Sequence, residues 1–165
     1  MPTLIRNLNI VEDEWTLIES NESAISIPIQ DKTILPWGFF VRQGEDFDAL
    51  EHLGIWVDTD VQVEDILPHL SRLDLIAVRF PGFVDGRGLS FAALLRSRYE
   101  FKGELRAFGD IIPDLGQYLH RSGFDAFEVQ NIVEAEIALK MIASITDHYQ
   151  ASVSQPLPAF RRGSF

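Results

Sequence analysis

The sequence predicts an α/β fold: a mostly parallel, open sheet of about four βα units, preceded by a β-rich N-terminal segment. Three observations carry this. From Gly54 onward short apolar runs alternate with amphipathic stretches, the mark of consecutive βα units. Each run is too short for a helix and is bounded by Gly, Asp or Pro. A chain of 165 residues, 46% hydrophobic and 24% charged, has the composition of one domain around one core.

Residues 1–53 lack the βα rhythm and show β-prone pieces instead, Trp15 to Ile18 and Ala24 to Ile29, with Pro28 suited to an edge strand. Asp46 to Leu53 reads as a short connecting helix. The four strands are then Gly54 to Val57, Leu75 to Phe80, Glu104 to Phe108 and Asp125 to Val129. The helix after the first, Val61 to Leu70, should be short or kinked, because Pro68 lacks a backbone donor and clashes with the preceding turn. The second, Ser90 to Phe101, takes Ser90 as its N-cap, buries Leu94, Leu95 and Phe101, and stops at Gly103. The third, Pro113 to Ser122, buries Leu115, Tyr118 and Leu119 and ends at Gly123 followed by apolar Phe124. The last, Val133 to His148, carries Ile137, Met141 and Ile145 on one stripe. Residues 1–151 thus form a single domain, and 152–165, with Pro156, Pro158 and Gly163, a flexible tail. An open sheet is expected rather than a closed barrel, which usually takes about 250 residues.

Composition removes several function classes. With no cysteine, disulfides, Cys zinc sites, thiolate-held clusters and thiol redox catalysis are excluded. His52, His69, His120 and His148 never fall at a metal-motif spacing, so no metal is expected, and His120 reads as an exposed cation near a helix end. No run approaches a membrane span and Met1 to Ile10 is not a secretory signal, which gives a cytoplasmic expectation. The net charge of −11 lies wholly in residues 1–75, with 15 acids and four bases, while residues 76–165 carry ten of each. Such a surface repels phosphate, so neither nucleic acid nor membrane is an expected partner.

Ligands of parallel sheets bind beyond the carboxyl ends of the strands. Of the loops there, Arg79-Phe80-Pro81-Gly82-Phe83-Val84-Asp85-Gly86-Arg87-Gly88-Leu89-Ser90 is the richest. Two guanidinium groups and three glycines before a helix N-terminus are the parts of an anion site, made from Arg79, Asp85, Gly86, Arg87, Gly88 and Ser90. The same residues also suit a purely structural role, with Asp85-Gly86 as a turn, Asp85 paired to an arginine and Ser90 capping the helix. The spacing is neither GxGxxG nor a Walker loop, so no cofactor is expected. Asp85 and Asp110 are the candidate acid–base residues, Asp110 with Asp114 beside it, although both positions equally suit helix capping. Asp58, Asp110 and Glu128 could meet at a Mg²⁺ site, without any motif in support. Trp56 and Phe108 read as core.

The DGRG loop, then Leu94-Leu95-Arg96, Gly103-Glu104-Leu105-Arg106-Ala107-Phe108-Gly109-Asp110 and Arg121-Ser122-Gly123-Phe124-Asp125-Ala126-Phe127, resembles the bacterial domain of unknown function 934 family. Members are often labelled "oxidoreductase probably involved in sulfite reduction". The resemblance covers residues 75–129 and returns at Glu12 to Leu17, with Asp13-Glu14-Trp15. Leu115 and Ser122 stand where family members often have glutamine and cysteine. The resemblance implies a role in assimilatory sulfate and sulfite reduction. A chain without cysteine cannot itself hold the thiolate-linked cluster of a sulfite reductase. An accessory role follows, with sulfite reductase or its electron donor as partner, or a small oxyanion as ligand, and with Arg106 added to the contact residues. The alternative is an enzyme acting on an anionic metabolite, with arginines holding the oxyanion.

Overall fold

The computed structural model describes residues 1–19, 28–43, 47–82, 85–145, 150–158 and 161. Its strands are β1 (Thr3–Arg6), β2 (Asn9–Val11), β3 (Thr16–Leu17), β4 (Thr33–Pro36), β5 (Leu53–Asp58), β6 (Leu75–Phe80), β7 (Glu104–Gly109) and β8 (Ala126–Val129). The helices are α1 (Trp37–Gln43), α2 (Val63–Ile66), α3 (Gly86–Ser97), α4 (Gly116–Ser122) and α5 (Ile132–Ser144). The eight strands form one sheet in the order β2-β1-β8-β7-β6-β5-β4-β3. From β3 to β8 every pairing is parallel, while β1 runs antiparallel to both β8 and β2.

This sheet is mostly parallel, as expected, and strongly curled, which the sequence did not show. β2 and β3 are its two edges, yet only residues 12–15 join them. Edges of a flat eight-stranded sheet would lie about 34 Å apart. The chain from Val11 to Thr16 reaches at most about 18 Å. The two edges must therefore turn toward each other, and the connection crosses the concave side.

Alternation along the strands sorts side chains between two faces. Ile55, Val57, Ile76, Val78, Phe80, Leu105, Ala107 and Phe127 face the helices in one large core, with Phe40, Ile66, Phe91, Leu95, Leu119 and Ala138 covering them. Ile34, Trp56, Leu75, Ala77 and Phe108 form a second cluster with Trp15 and Leu17, which contains no helical residue. Trp15 packs where Gly54 lacks a side chain, since a Cβ there would stand 3.1 Å from its ring. The Trp56 indole N–H donates to the Ile18 carbonyl at 2.7 Å. The N-terminal segment is thus bound to the concave face.

The four expected strands are present, and a fifth βα unit, β4–α1, precedes them inside the segment read as lacking that rhythm. Of the expected Ala24 to Ile29 strand, residues 24–27 lie outside the described residues and 28–29 are not in a strand. Of the expected Asp46 to Leu53 helix, Asp46 lies outside the described residues, Phe47 is 3-10, a turn closes through Leu50 N–H to Phe47 O, and Leu53 already belongs to β5. Pro68 acts as expected, for α2 stops at Ile66 and a 3-10 helix, Leu67–Arg72, takes Pro68 in its first turn.

Helix α3 starts four residues before Ser90 and ends before Phe101. Asp85 is the N-cap, its carboxylate accepting from Arg87 N–H at 3.1 Å. At the other end the left-handed residue is Glu100 (φ 52°), not Gly103, and Phe101 N–H returns to Leu95 O at 2.9 Å. Gly103 instead lets the chain pass close to the Asp74 carbonyl, 2.6 Å from where a Cβ would stand. Leu94, expected in the core, is 40% exposed. Helix α4 ends as predicted, at left-handed Gly123 (φ 102°) with Phe124 buried behind it, but Tyr118 is 57% exposed. His120 is half-buried rather than an exposed cation, and burial pushes its pKa down.

In α5 the stripe of Ile137, Met141 and Ile145 faces outward, and Ala135, Ala138 and Ile142 face the sheet. Small residues let the helix approach the strands closely, a preference that apolar spacing alone does not rank. Asn131 caps this helix through Glu134 N–H at 3.0 Å. Residues 146–148 of the expected helix lie outside the described residues, as do 159, 160 and 162–165 of the expected tail. Within the tail, Val153 N–H donates to Arg121 O at 3.0 Å. Among the described residues no helix is long and apolar enough to cross a membrane.

Candidate functional site

Because β5 to β8 are parallel neighbours, their carboxyl ends fall on one rim. Asp58 pairs in register with Arg79, and Arg79 with Phe108. The Arg79 Nε donates to Asp58 Oδ1 at 2.6 Å, and its guanidinium lies 4.8 Å from the Trp56 ring centroid. Trp56 meets Phe108 edge to face at 5.9 Å. The rim then turns sharply at Gly109, where φ is 103° and a Cβ would approach the Phe80 carbonyl to 2.6 Å. Only glycine fits such a position without strain. Arg79, Trp56, Phe108, Gly109, Glu19 and Glu128 bound a cleft of about 270 Å³. A larger cleft of about 500 Å³ lies between α4 and α5, away from the strand ends.

Beside this cleft stands the start of α3. Asp85 accepts from Arg87 Nε at 3.0 Å and Nη2 at 2.8 Å, and from the Thr59 hydroxyl at 2.5 Å. The Arg87 fork, then Thr59, hold the Asp85 carboxyl well below the usual carboxylate range. The position an external anion would take at this helix terminus is filled by the protein's own carboxylate. Asp85 is therefore built to hold Arg87, not to carry a proton at neutral pH. Arg87 itself is presented outward, with 66% of its side chain exposed. Gly88 brings α3 onto β6, since a Cβ there would meet the Phe80 ring at 2.6 Å, while Gly86 has open space around it.

The concave face holds a third group of charges. Arg106 is 1% exposed, its Nη1 donating to Asp13 at 2.7 Å and its Nε to Glu104 at 3.0 Å. Glu104 also meets Arg6 at 2.9 Å, so two cations and two carboxylates balance. Burial alone would lower the Arg106 pKa, but Asp13 and Glu104 hold it above its ordinary value. Glu128, at 3.6 Å from Arg106 Nη1, is the surplus carboxylate. Its pKa is pushed up, first by burial and further by Asp13 and Glu19, against the opposing pull of Arg106.

The sequence-derived set is thus divided three ways. Asp85 and Arg87, with Gly86 and Gly88, build the α3 terminus; Arg79 lines the cleft; Arg106 is buried structure. Ser90 is exposed inside α3 and does not cap it. Asp110 is exposed just past β7, with its N–H on Phe80 O at 2.8 Å. Asp58 and Glu128 are each engaged by an arginine, and among the described residues no group of His, Asp and Glu is arranged to hold a metal. Phe83 and Val84 lie outside the described residues. Sequence reasoning had Thr59 and Glu128 as strand-end residues and Asp13 through the Asp13-Glu14-Trp15 resemblance, without the contacts they make, and it missed Glu19.

These features define an α/β protein with a curled, mostly parallel sheet, helices over its convex face, and polar groups at the strand carboxyl ends and on the concave face. The chain belongs to the family described as "Bacterial protein of unknown function (DUF934)", whose model matches residues 54–160. That span begins inside β5 and includes the whole rim from Asp58 to Glu128. No curated protein and no solved structure matches the chain.

Proposed function

We propose that the protein is a cytoplasmic accessory factor of assimilatory sulfite reduction that docks a partner enzyme, sulfite reductase or its electron donor, through Arg87. The single observation that supports a docking role is the arrangement at the α3 terminus. Asp85 and Thr59 fix the Arg87 guanidinium in place while leaving most of it in solvent. A fixed, exposed fork costs little ordering entropy on binding and matches carboxylates on a partner surface. The sulfur-assimilation context rests on the family resemblance alone.

Affinity capture of the tagged protein from native cells growing on sulfate tests this, with Arg87→Ala captured in parallel. Recovery of sulfite reductase or its electron donor by the native protein, and its loss with the variant, is the expected result. Equal recovery by both, or recovery of neither enzyme, refutes the docking role. The alternative, an enzyme acting on an anionic metabolite, is favoured by one observation: the strand-end cleft is lined by both Arg79 and a half-buried acid, Glu128, whose pKa is raised.

A further inference from the structure

The strand-end cleft carries opposite charges on the two sides of β7. Arg79 of β6 stands on one side, over Trp56 and bonded through Nε to Asp58. Glu128 of β8 stands on the other. The curl of the sheet brings the end of β3 round to meet it, so that Glu19 lines the same cleft and acts on the Glu128 carboxyl. Trp56 and Phe108, 2% and 5% exposed, make an apolar floor between the two charges. A volume of about 270 Å³ falls just below the range of drug-sized pockets, which begins near ~300 Å³. That size fits a metabolite as small as an amino acid.

We propose that this cleft binds a compact zwitterion with a short apolar body, its oxyanion on Arg79 and its ammonium between Glu19 and Glu128. The site is separate from the Arg87 surface and does not rest on the docking role. A lone anion would meet Arg79 favourably but Glu19 unfavourably, and a lone cation the reverse. A molecule carrying both charges satisfies both ends, with its body on the aromatic floor.

The groups facing Glu128 give the binding a pH signature. They are Arg106 from β7, Asp13 from the β2–β3 connection and Glu19 past β3, with Arg79 across the cleft. An arriving ammonium favours the ionised carboxylate, against the burial that raises the Glu128 pKa, so binding should draw that pKa back down. Affinity should then rise with pH from the ordinary glutamate value of 4.5 up to the raised value of the free protein.

The test uses the full chain, isotope-labelled, with amide NMR as the readout and three probes of one shape. These are L-leucine, isocaproate, which lacks the amine, and isoamylamine, which lacks the carboxylate. Leucine is expected to shift the Gly109 and Gln130 amides and the Trp56 indole N–H, and to bind roughly tenfold tighter than either half. Arg79→Gln should lower leucine affinity to that of isoamylamine. Glu128→Gln should weaken leucine and abolish the pH dependence while leaving the fold intact by its amide spectrum. No shift at the cleft, shifts confined to another surface, or equal binding of leucine and one of its halves overturns the proposal.

Discussion

Arg87 and Arg106 are both arginines held by carboxylates, and they show what burial does to that pairing. Arg87 borrows a partner two residues away, at the head of its own helix, and keeps 66% of its side chain in water. Arg106 sits in the middle of β7, 1% exposed, and its closest partner is Asp13, 93 residues distant in sequence. An exposed pair contributes little to stability because water already solvates both groups. A buried guanidinium stripped of its carboxylates is an uncompensated charge, and Arg106 is met by Asp13 and Glu104 although its Nη2 has no hydrogen-bond partner among the described residues. Arg87 is thereby available for binding, whereas Arg106 ties the N-terminal segment across the concave face.

The largest way to break the comparison is Arg106→Ala. It removes a 1%-exposed side chain and the cation that Asp13, Glu104 and Glu128 share, leaving Glu104 with Arg6 alone, and should cost about 3–5 kcal/mol in urea unfolding. A loss below about 1 kcal/mol would mean that Arg106 behaves as a surface residue. Gly109→Ala probes the rim between the two arginines. With a positive φ and the Phe80 carbonyl in the way, it should cost about 2 kcal/mol or more by the same measurement. No effect would show a rim soft enough to move.

The two carboxylates beside these arginines should give stability opposite slopes with pH. Glu128 has a raised pKa in the folded state, so the native protein holds its proton longer than the unfolded chain. Its share of stability is present below 4.5 and is lost as pH rises from there toward its folded value. Asp85 is the reverse, with a depressed pKa whose contribution is present above 3.8 and is lost as pH falls further. Urea unfolding across this range should show Glu128→Gln flattening the loss on the high side and Asp85→Asn flattening the low side. A wild-type slope unchanged by Glu128→Gln would place the surplus charge elsewhere. The smallest expected effect is Arg87→Ala, under about 1 kcal/mol in stability.

Much of the fold was legible, and for a local reason. Strands β5 to β8 are central in the sheet, with helices over one face and the N-terminal segment packed on the other, so they read as apolar runs between glycine and aspartate. The β4–α1 unit escaped because Pro36 ends the strand and the helix follows at Trp37 without a polar cap, so no boundary signal separates them. The start of α3 escaped because two glycines in its first turn argue against helix, although Gly88 is there to fit against Phe80. The site was legible in part. DGRG signalled the α3 terminus, but neither the burial of Arg106 nor the surroundings of Glu128 could be read, because each depends on the distant Asp13 and on a curl visible only in the strand order.

The docking role makes its sharpest claim about Arg87: the fork held by Asp85 matters, not merely a positive charge. Purified sulfite reductase titrated against the wild-type protein, Arg87→Lys and Arg87→Ala measures this directly. The expected result is a drop in affinity of roughly tenfold or more in both variants, with unfolding midpoints near wild type. Full affinity in Arg87→Lys, or in either variant, would contradict it.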